Sequence, residues 1–314
     1  MTTGTTYNKF QRTYQIQITD TNNQIQTFGS LTGNDPLLTL EFSIKRDTLQ
    51  GLNTANIRIR NINASTRNVI VHDWYNNYNQ WQKVTLRAGY AGTPLSTIFD
   101  GNAQSVYNYR AERDTDWTTE IDALGYSSLI NNSFSAWTLG ATNPVTQKEV
   151  VTQLVKDMQS CATKYGATLG VGCVAGFTAP RYTYTANDFT WNILRTETQS
   201  LTYIDNSSIY AMPNNYVFTG PITLISSKTG LLGTPRQYGT YLVAQMIFEP
   251  GIIPGQLVAL DCGIPALNST TYKVVGLQHA GVISSTVSGK CVTTVTMQLT
   301  ASPYTTKLGL YQTT

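Results

Sequence analysis

The sequence predicts a mainly β protein with an α+β middle segment. Short runs in which apolar and polar residues alternate fill most of residues 1–136 and 221–314, and Gly, Pro and Asn separate them. An apolar stripe with helical spacing occurs in the middle, between these two groups of runs. Alternation indicates strands, because successive side chains leave a strand on opposite faces. We therefore expect three domains, at 1–136, 137–220 and 221–314.

The first segment contains six or so predicted strands. Residues 15–19 and 24–28 alternate and flank the polar residues 20–23, which predicts a hairpin. The clearest strand is 38–45, where Leu38, Leu40, Phe42 and Ile44 alternate with polar residues and should face a core. Further strands are expected at 55–60, 83–90, 97–101, 102–110 and 116–124.

The last segment predicts an antiparallel meander. Its runs lie at 241–248, 256–261, 271–279 and 286–300, between Gly and Pro breaks. In the final run, Val295, Met297 and Leu299 alternate with polar residues, so one face of that strand should be buried.

The middle segment begins with a predicted helix. Asn143 can cap a helix and Pro144 is tolerated at its first position. A single apolar stripe follows at helical spacing, and the helix should end near Gly166. The stripe consists of Val150, Val151, Leu154, Val155 and Met158.

The rest of the middle segment is less regular. The four glycines of 166–176 predict a loop. A second helix is expected at 188–198, with Asp188 as its cap and an apolar side of Phe189, Ile193 and Leu194. Short strands are expected within 201–218, with turns at 206–208 and 213–215.

Composition excludes several classes of function. Charged residues make up 12% of the chain, against a usual ~25%. The net charge of +3 and the scattered Lys and Arg argue against a nucleic-acid surface. Residues 1–10 lack the apolar core of a secretory signal, and no run has the length of a membrane span. We expect a soluble chain that starts in a cytoplasm, has no membrane partner and belongs inside an assembly, since weak charge repulsion favours association.

Two ordered sets of motifs resemble bacteriophage baseplate-hub (tail-hub) proteins. The runs GTPR, IIPGQLVALD, YKVVGLQHAG and TTVTMQL, within 233–299, resemble the last barrel of that family. The runs ANIRIRNI, VTLRAGY, STIFDG and DTDWTTEIDALGY, within 55–126, resemble its first, tail-tube-like barrel. The resemblance covers roughly residues 38–125 and 230–300.

The resemblance implies two tail-tube-like antiparallel β-barrel modules, at 1–136 and 221–314, around an α+β domain at 137–220. It implies a structural virion protein of the tail or baseplate, assembled in the bacterial host cytoplasm. Three copies would form a ring that joins the tail tube or distal tail protein to a central spike or fibre. Phage DNA would pass through the ring without sequence-specific binding. No catalytic residue, cofactor or metal is expected.

A pair of carboxylates leaves an enzymatic alternative open. Glu120 and Asp122 share a face of a predicted strand, and a glycosidase needs two carboxylates close together in a cleft. The chain would then be a tail-associated cell-wall hydrolase. Arg110 and Arg113 lie close in sequence and favour a solvated charged edge instead.

An aromatic cluster supplies a third hypothesis, a carbohydrate-binding module. Aromatic side chains form stacking platforms for sugars or bases, and they are also enriched in subunit contacts. No basic residue accompanies these, so we favour a subunit contact. The cluster consists of Trp74, Tyr75, Tyr78 and Trp81.

The histidines and cysteines carry no recognisable site. His72 and His279 lack the motif partners of a catalytic group, so both are interpreted as structural. No two cysteines have the close spacing typical of zinc or iron–sulfur sites, and the default is four free thiols. The spacing of Cys161 and Cys173 also permits a disulfide, although a bacterial cytoplasm would keep it reduced. The remaining two are Cys262 and Cys291.

Overall fold

The computed structural model describes residues 9, 11–30, 37–49, 52–71, 82–112, 114–140, 142–199, 202–213, 216–299 and 309–312. Strands hold 52% of the residues and helices 16%, which confirms a mainly β protein.

The predicted N-terminal hairpin is confirmed, with the Asp20 carboxylate accepting hydrogen bonds from the backbone of Asn22 and Gln24 in its turn. The expected strands 97–101 and 102–110 are one continuous strand, β6. A short helix that we did not predict, α1, follows Asn63, whose side chain accepts a hydrogen bond from the backbone N–H of Thr66. The elements are β1 (Arg12–Thr19), β2 (Ile25–Gly29), β3 (Leu40–Asp47), β4 (Thr54–Arg60), α1 (Ala64–Ile70), β5 (Lys83–Tyr90), β6 (Ser96–Tyr109) and β7 (Thr118–Leu124).

The long helix of the middle segment begins later than predicted, at Gln147. Thr146 is its N-cap and forms a reciprocal capping box with Glu149, so Asn143 does not cap it. The predicted apolar stripe is buried as expected. Asp188 does not cap the second helix either, because the strand before the helix runs to Phe189, which occupies the N-cap position. Phe189 is 44% exposed instead of lying in the core.

Part of the predicted glycine loop is a strand, β10, which pairs in parallel with β14. The short strands β13 and β14 and their turn at 206–207 are confirmed. The elements are α2 (Ser127–Asn132), β8 (Phe134–Leu139), β9 (Val145–Thr146), α3 (Gln147–Lys164), β10 (Gly170–Val174), β11 (Pro180–Arg181), β12 (Tyr184–Phe189), α4 (Thr190–Glu197), β13 (Thr202–Asp205) and β14 (Ser208–Ala211).

Most strand pairs of the last segment are antiparallel, as predicted, but β15 pairs in parallel with β18 and β21. The segment is also not a simple meander, since β17 pairs with β20 and not with β18. The side chains of Val295 and Met297 are buried, as expected. The elements are β15 (Tyr216–Ser226), a short 3-10 turn (Ser227–Thr229), β16 (Leu231–Tyr238), β17 (Tyr241–Ile247), β18 (Gln256–Asp261), β19 (Ser269–Ile283), β20 (Cys291–Leu299) and β21 (Gly309–Gln312).

The expected pair of closed barrels is not confirmed, because one 14-stranded sheet runs through both β segments. Its main path is β16-β17-β20-β19-β3-β4-β7-β6-β5-β1-β2, and within the described residues it does not close. Strand β19 makes the join: it is 15 residues long, its first part pairs with β18, and residues 276–283 pair with β3. The length of β19 therefore lets one strand belong to both segments.

Three main hydrophobic clusters underlie this sheet and the middle segment. The first draws mostly on β1 to β7, the second on residues 126–211, and the third on residues 225–297. The first cluster also contains Phe248, Ile283 and Cys291, which come from the last segment. The two β segments thus share a core where they share the sheet, while the domain boundaries at 136 and 220 stay a prediction.

Candidate functional site

A buried ion pair ties the first β segment to the middle segment. Arg46 on β3 donates to both carboxylate oxygens of Asp205 on β13, at 2.8 and 2.6 Å. Asn53 donates a further hydrogen bond to the same carboxylate at 2.8 Å. The Arg46 side chain is fully buried and that of Asp205 nearly so. Breaking one partner of such a pair leaves a buried charge uncompensated, so the link is expected to resist separation of the segments.

The sequence carries a signal for this ion pair that we did not use. Arg46 continues the buried face of β3, on which Leu40, Phe42 and Ile44 lie two residues apart. A strand residue in that register points into the core, so a charged side chain there requires a buried partner.

His279 lies at the join between the two β segments and is fully buried. Its Nδ1 is 3.0 Å from the hydroxyl of Thr293, and its ring meets Phe248 edge to face at 5.8 Å. Burial, together with the positive charge of Arg46, lowers the pKa of His279 to about 3. The ring is therefore neutral at physiological pH and enclosed by the fold, which is the environment of a structural histidine. His72 lies outside the described residues.

Glu120 and Asp122 lie side by side on β7, as the sequence predicted. One amide, that of Asn56 on β4, donates to both carboxylates at 2.8 Å, and Arg58 donates to Glu120 at 2.9 Å. Burial raises the pKa of Glu120, but hydrogen bonds from Arg58, Asn56 and Tyr109 outweigh it, and the net pKa is lowered. A glycosidase acid needs a raised pKa to hold its proton. This geometry suits a structural ion pair between strands.

The four cysteines are free thiols, and Cys161, Cys173 and Cys291 are buried. Burial raises the pKa of Cys173 to about 11, and burial likewise raises that of Cys291 to about 11. Thiols with raised pKa values are poor nucleophiles and poor metal ligands at neutral pH. The described part of the chain contains no group of three or more His, Cys, Asp or Glu side chains placed to hold a metal ion. The aromatic cluster at 74–81 lies outside the described residues.

The two ends of the main path of the large sheet differ in how they are protected, and a branch through β18 and β15 ends separately at β21. At one end, β16 has an irregular register between Leu232 and Arg236, and Pro235 lies within it. Bulges and prolines discourage further strand pairing. At the other end, β2 has no proline and no charged residue, and Ile25 is 65% exposed. Among the described residues only β1 pairs with β2, so the other edge of β2 is open to pairing with another strand.

The backbone hydrogen bonds that flank the β1–β2 hairpin show which groups of β2 face outward. Asp20 donates to Gln24 at one end, and Ser30 donates to Tyr14 at the other. Antiparallel pairs alternate, so Gln26 and Phe28 bond to β1. By the same alternation, the backbone groups of residues 25, 27 and 29 point away from the sheet.

A family match decides the class of the protein. The family described as Baseplate hub gp41 matches residues 25–284, which is most of the chain. The chain belongs to the Baseplate hub gp41 family. The resemblance drawn from the sequence is thereby confirmed. No curated protein matches the chain.

Several solved structures have the same fold as this chain. A tail protein from Neisseria meningitidis MC58 has a TM-score of 0.53 at 7% identity, over 91% of this chain and 96% of that one. The 43 kDa tail protein of prophage MuSo2 from Shewanella oneidensis has a TM-score of 0.56 at 7% identity, over 91% and 98%.

An Escherichia coli protein, c3393, matches with a TM-score of 0.52 at 12% identity, over 88% of this chain and 76% of that one. It is described as a component of the type VI secretion system, with structural similarity to the T4 tail proteins gp27 and gp5. At these identities the likeness shows the fold, and the family match supplies the class, a structural baseplate or tail protein.

Three described features connect segments of the chain or leave backbone groups free for pairing: the β3–β19 join, the Arg46–Asp205 ion pair and the β2 edge. No helix in the described ranges is long and apolar enough to cross a membrane.

Proposed function

We propose that the chain is a non-enzymatic hub subunit, three copies of which form a ring in the virion. The ring joins the tail tube or distal tail protein to a central spike or fibre, and phage DNA passes through its channel without sequence-specific binding. Family membership and the likeness to tail proteins support this role. The low proportion of charged residues supports burial inside an assembly.

The observation that carries the proposal is the free β2 end of the main path of the large sheet. The β2 end presents outward backbone N–H and C=O groups and lacks the devices that block pairing. When one surface of each copy binds a different surface of the next copy, the copies form a closed ring if each contact rotates the next copy by a whole fraction of a full turn. In the proposed ring, the β2 edge of one copy pairs with a strand of the next.

The proposed domains keep the boundaries at 136 and 220. Each β segment acts as one tube-like module, so that three copies present six. The three hydrophobic clusters support three modules, although the first cluster also takes in residues of the last segment, and the shared β19 fixes the two β modules of a chain at one angle. Assembly takes place in the bacterial host cytoplasm.

The absence of catalysis is part of the proposal. Glu120 and Asp122 are the carboxylate pair that the hydrolase hypothesis needs, and both accept hydrogen bonds from Asn56. The lowered pKa of Glu120 keeps it ionised and unsuited to proton donation.

Mass in solution tests the ring. Light scattering coupled to size exclusion should give three times the 34.6 kDa of one chain, and negative-stain images should show a central hole. A single-chain mass at every concentration tested contradicts the proposal.

A variant pair tests the edge. Thr27→Pro removes an outward N–H of β2 and should reduce the mass to that of one chain, since proline cannot donate to a neighbouring strand. Thr27→Val keeps the N–H and should leave the ring intact. A ring that survives Thr27→Pro would show that the copies join through another surface.

A further inference from the structure

A second open strand edge lies in the middle segment, beside the long helix. Within the described residues, β8 pairs with β12 alone, in a two-stranded sheet. Strand β8 reads Phe-Ser-Ala-Trp-Thr-Leu, with no proline and no charged residue. An edge without proline, charge or bulge is available for pairing with another strand.

The direction of the free backbone groups on β8 follows from a neighbouring bond. The carbonyl of Ser133 accepts a hydrogen bond from the N–H of Thr190. Residues 133 and 190, next to the ends of β8 and β12, are therefore a hydrogen-bonded pair. Bonded and non-bonded pairs alternate along antiparallel strands. The backbone groups of Phe134, Ala136 and Thr138 therefore point away from β12.

A groove of about 730 Å³ lies along this edge. Phe134, Ala136 and Trp137 of β8 form one side, and Asp157, Cys161 and Lys164 of helix α3 form the other. No residue of β12 lines the groove, so it opens at the free edge of β8. A strand edge facing a helix across a groove is the arrangement that proteins use to bind an extended peptide, in which main-chain bonds supply affinity and side-chain pockets supply specificity.

The groove is held in shape by its own side chains. The Asp157 carboxylate accepts hydrogen bonds from the Ser135 hydroxyl and from the indole N–H of Trp137, the latter at 2.6 Å. Gln153 donates to its other oxygen at 3.2 Å. These bonds fix β8 against α3, so a peptide would enter a preformed site.

Charge and apolar surface indicate the chemistry of the occupant. Lys164 is exposed at the groove and has no ion-pair partner among the described residues. An unpaired ammonium attracts a carboxylate. Phe134 is 55% exposed and meets the exposed ring of Phe189 edge to face at 6.0 Å, which leaves an aromatic surface beside the edge.

We propose that this groove binds an extended peptide segment of another protein, which adds as a strand to β8. The segment pairs with the outward backbone groups of residues 134, 136 and 138. It places an apolar side chain between Trp137 and Cys161, and it carries an acidic group that meets Lys164. The surface is separate from the β2 edge through which the ring is proposed to form, so it stands whether or not the ring does.

Hydrogen exchange of the full chain tests the free edge directly. In the free protein, the amides of residues 134, 136 and 138 should exchange faster than those of 135, 137 and 139. The peptide fluorescein-Thr-Val-Thr-Val-Thr-Glu-amide, with variants bearing Ile, Leu, Phe or Tyr in place of both Val residues, serves as the probe. A bound member of this set should protect the outward amides.

Fluorescence anisotropy with matched variants tests the pairing. Ala136→Pro removes an outward N–H and should weaken peptide binding about tenfold or more, because backbone bonds dominate strand addition. Asn187→Pro, at the outer edge of β12, should leave binding unchanged. Lys164→Glu should weaken binding of the peptide ending in Glu and favour the same peptide ending in Lys.

Three results would overturn the proposal. The first is an equal rate of hydrogen exchange for all amides along β8. The second is that no peptide of the set binds, or that Ala136→Pro leaves peptide binding unchanged. The third is protection of the outward amides that rises with protein concentration in the absence of peptide, since a second copy would then fill the edge.

Discussion

His279 should make the fold sensitive to mild acid. The folded state holds this ring neutral, with its pKa lowered to about 3 by burial and by Arg46, whereas the ordinary value is 6.5. As the pH falls below the ordinary value, the unfolded chain takes up a proton that the folded chain does not. Stability must then fall with pH, because the unfolded state binds more protons. The loss continues until the pH reaches the folded-state pKa.

The two pKa values set the size of this effect. Between about pH 7.5 and about pH 5, His279 alone should lower the unfolding free energy by about 2 kcal/mol. Few carboxylates titrate in that range, since their ordinary pKa values lie near 4. Most of the measured slope should therefore come from histidine.

Chemical denaturation across this pH range, at fixed protein concentration, measures the slope. The variant His279→Gln removes the titrating group and should flatten the profile, whatever its effect on stability at neutral pH. The chain has two histidines, so His72→Gln is the matched control. Histidine ring NMR signals followed against pH give the pKa of each residue separately.

A profile that stays equally steep in His279→Gln would refute the reasoning. It would mean that the ring gains a proton in the folded state, so that burial at the β3–β19 join does not hold it neutral. An NMR pKa near 6.5 for His279 would lead to the same conclusion.

Three further variants test individual contacts by chemical denaturation. Arg46→Met should lower the free energy of unfolding by about 3–5 kcal/mol, because Asp205 is left buried without its cation. The double variant Arg46→Met/Asp205→Leu should recover part of that loss. If it recovers none, the two residues do not stabilise the fold as a pair. Thr146→Ala should lower the free energy of unfolding by about 0.5–2 kcal/mol, whereas Asn143→Ala should change it little, since Thr146 caps helix α3. A larger loss in Asn143→Ala than in Thr146→Ala would place the helix cap at Asn143. Glu120→Gln should destabilise the fold at neutral pH, and the difference should vanish as the pH falls through the lowered pKa of Glu120, where the wild-type carboxylate loses its charge. Wild type and Glu120→Gln should both leave a peptidoglycan suspension turbid, and clearing by the wild type alone would revive the hydrolase hypothesis.

Helix α3 shows which features of a helix the local sequence predicts and which it does not. Its apolar stripe predicted the buried face correctly, because helical spacing places those residues on one side of any helix. Its start was predicted three residues early, with Asn143 as the cap in place of Thr146. Both Asn143 and Thr146 are good caps, and the packing of residues 145–146 as strand β9 against β11 decides between them.

The glycine run shows a failure of a different kind. Glycine has low strand propensity, and 166–176 predicts a loop. Strand β10 forms there because β14 lies alongside and supplies a parallel partner. Gly172 also lets β10 lie close to Tyr210 of β14, because a Cβ at residue 172 would be 2.1 Å from the Tyr210 ring.

The sequence by itself determined most strands of the two β segments, which face of those strands is apolar, and the hub family to which the chain belongs. Those properties depend on neighbours one to four residues away, and on motif order along the chain. Only the tertiary structure decided that β3 pairs with β19, that Arg46 meets Asp205, and that β8 faces a groove on α3. These contacts join residues far apart in sequence, and an alternating pattern specifies the face of a strand without specifying its partner.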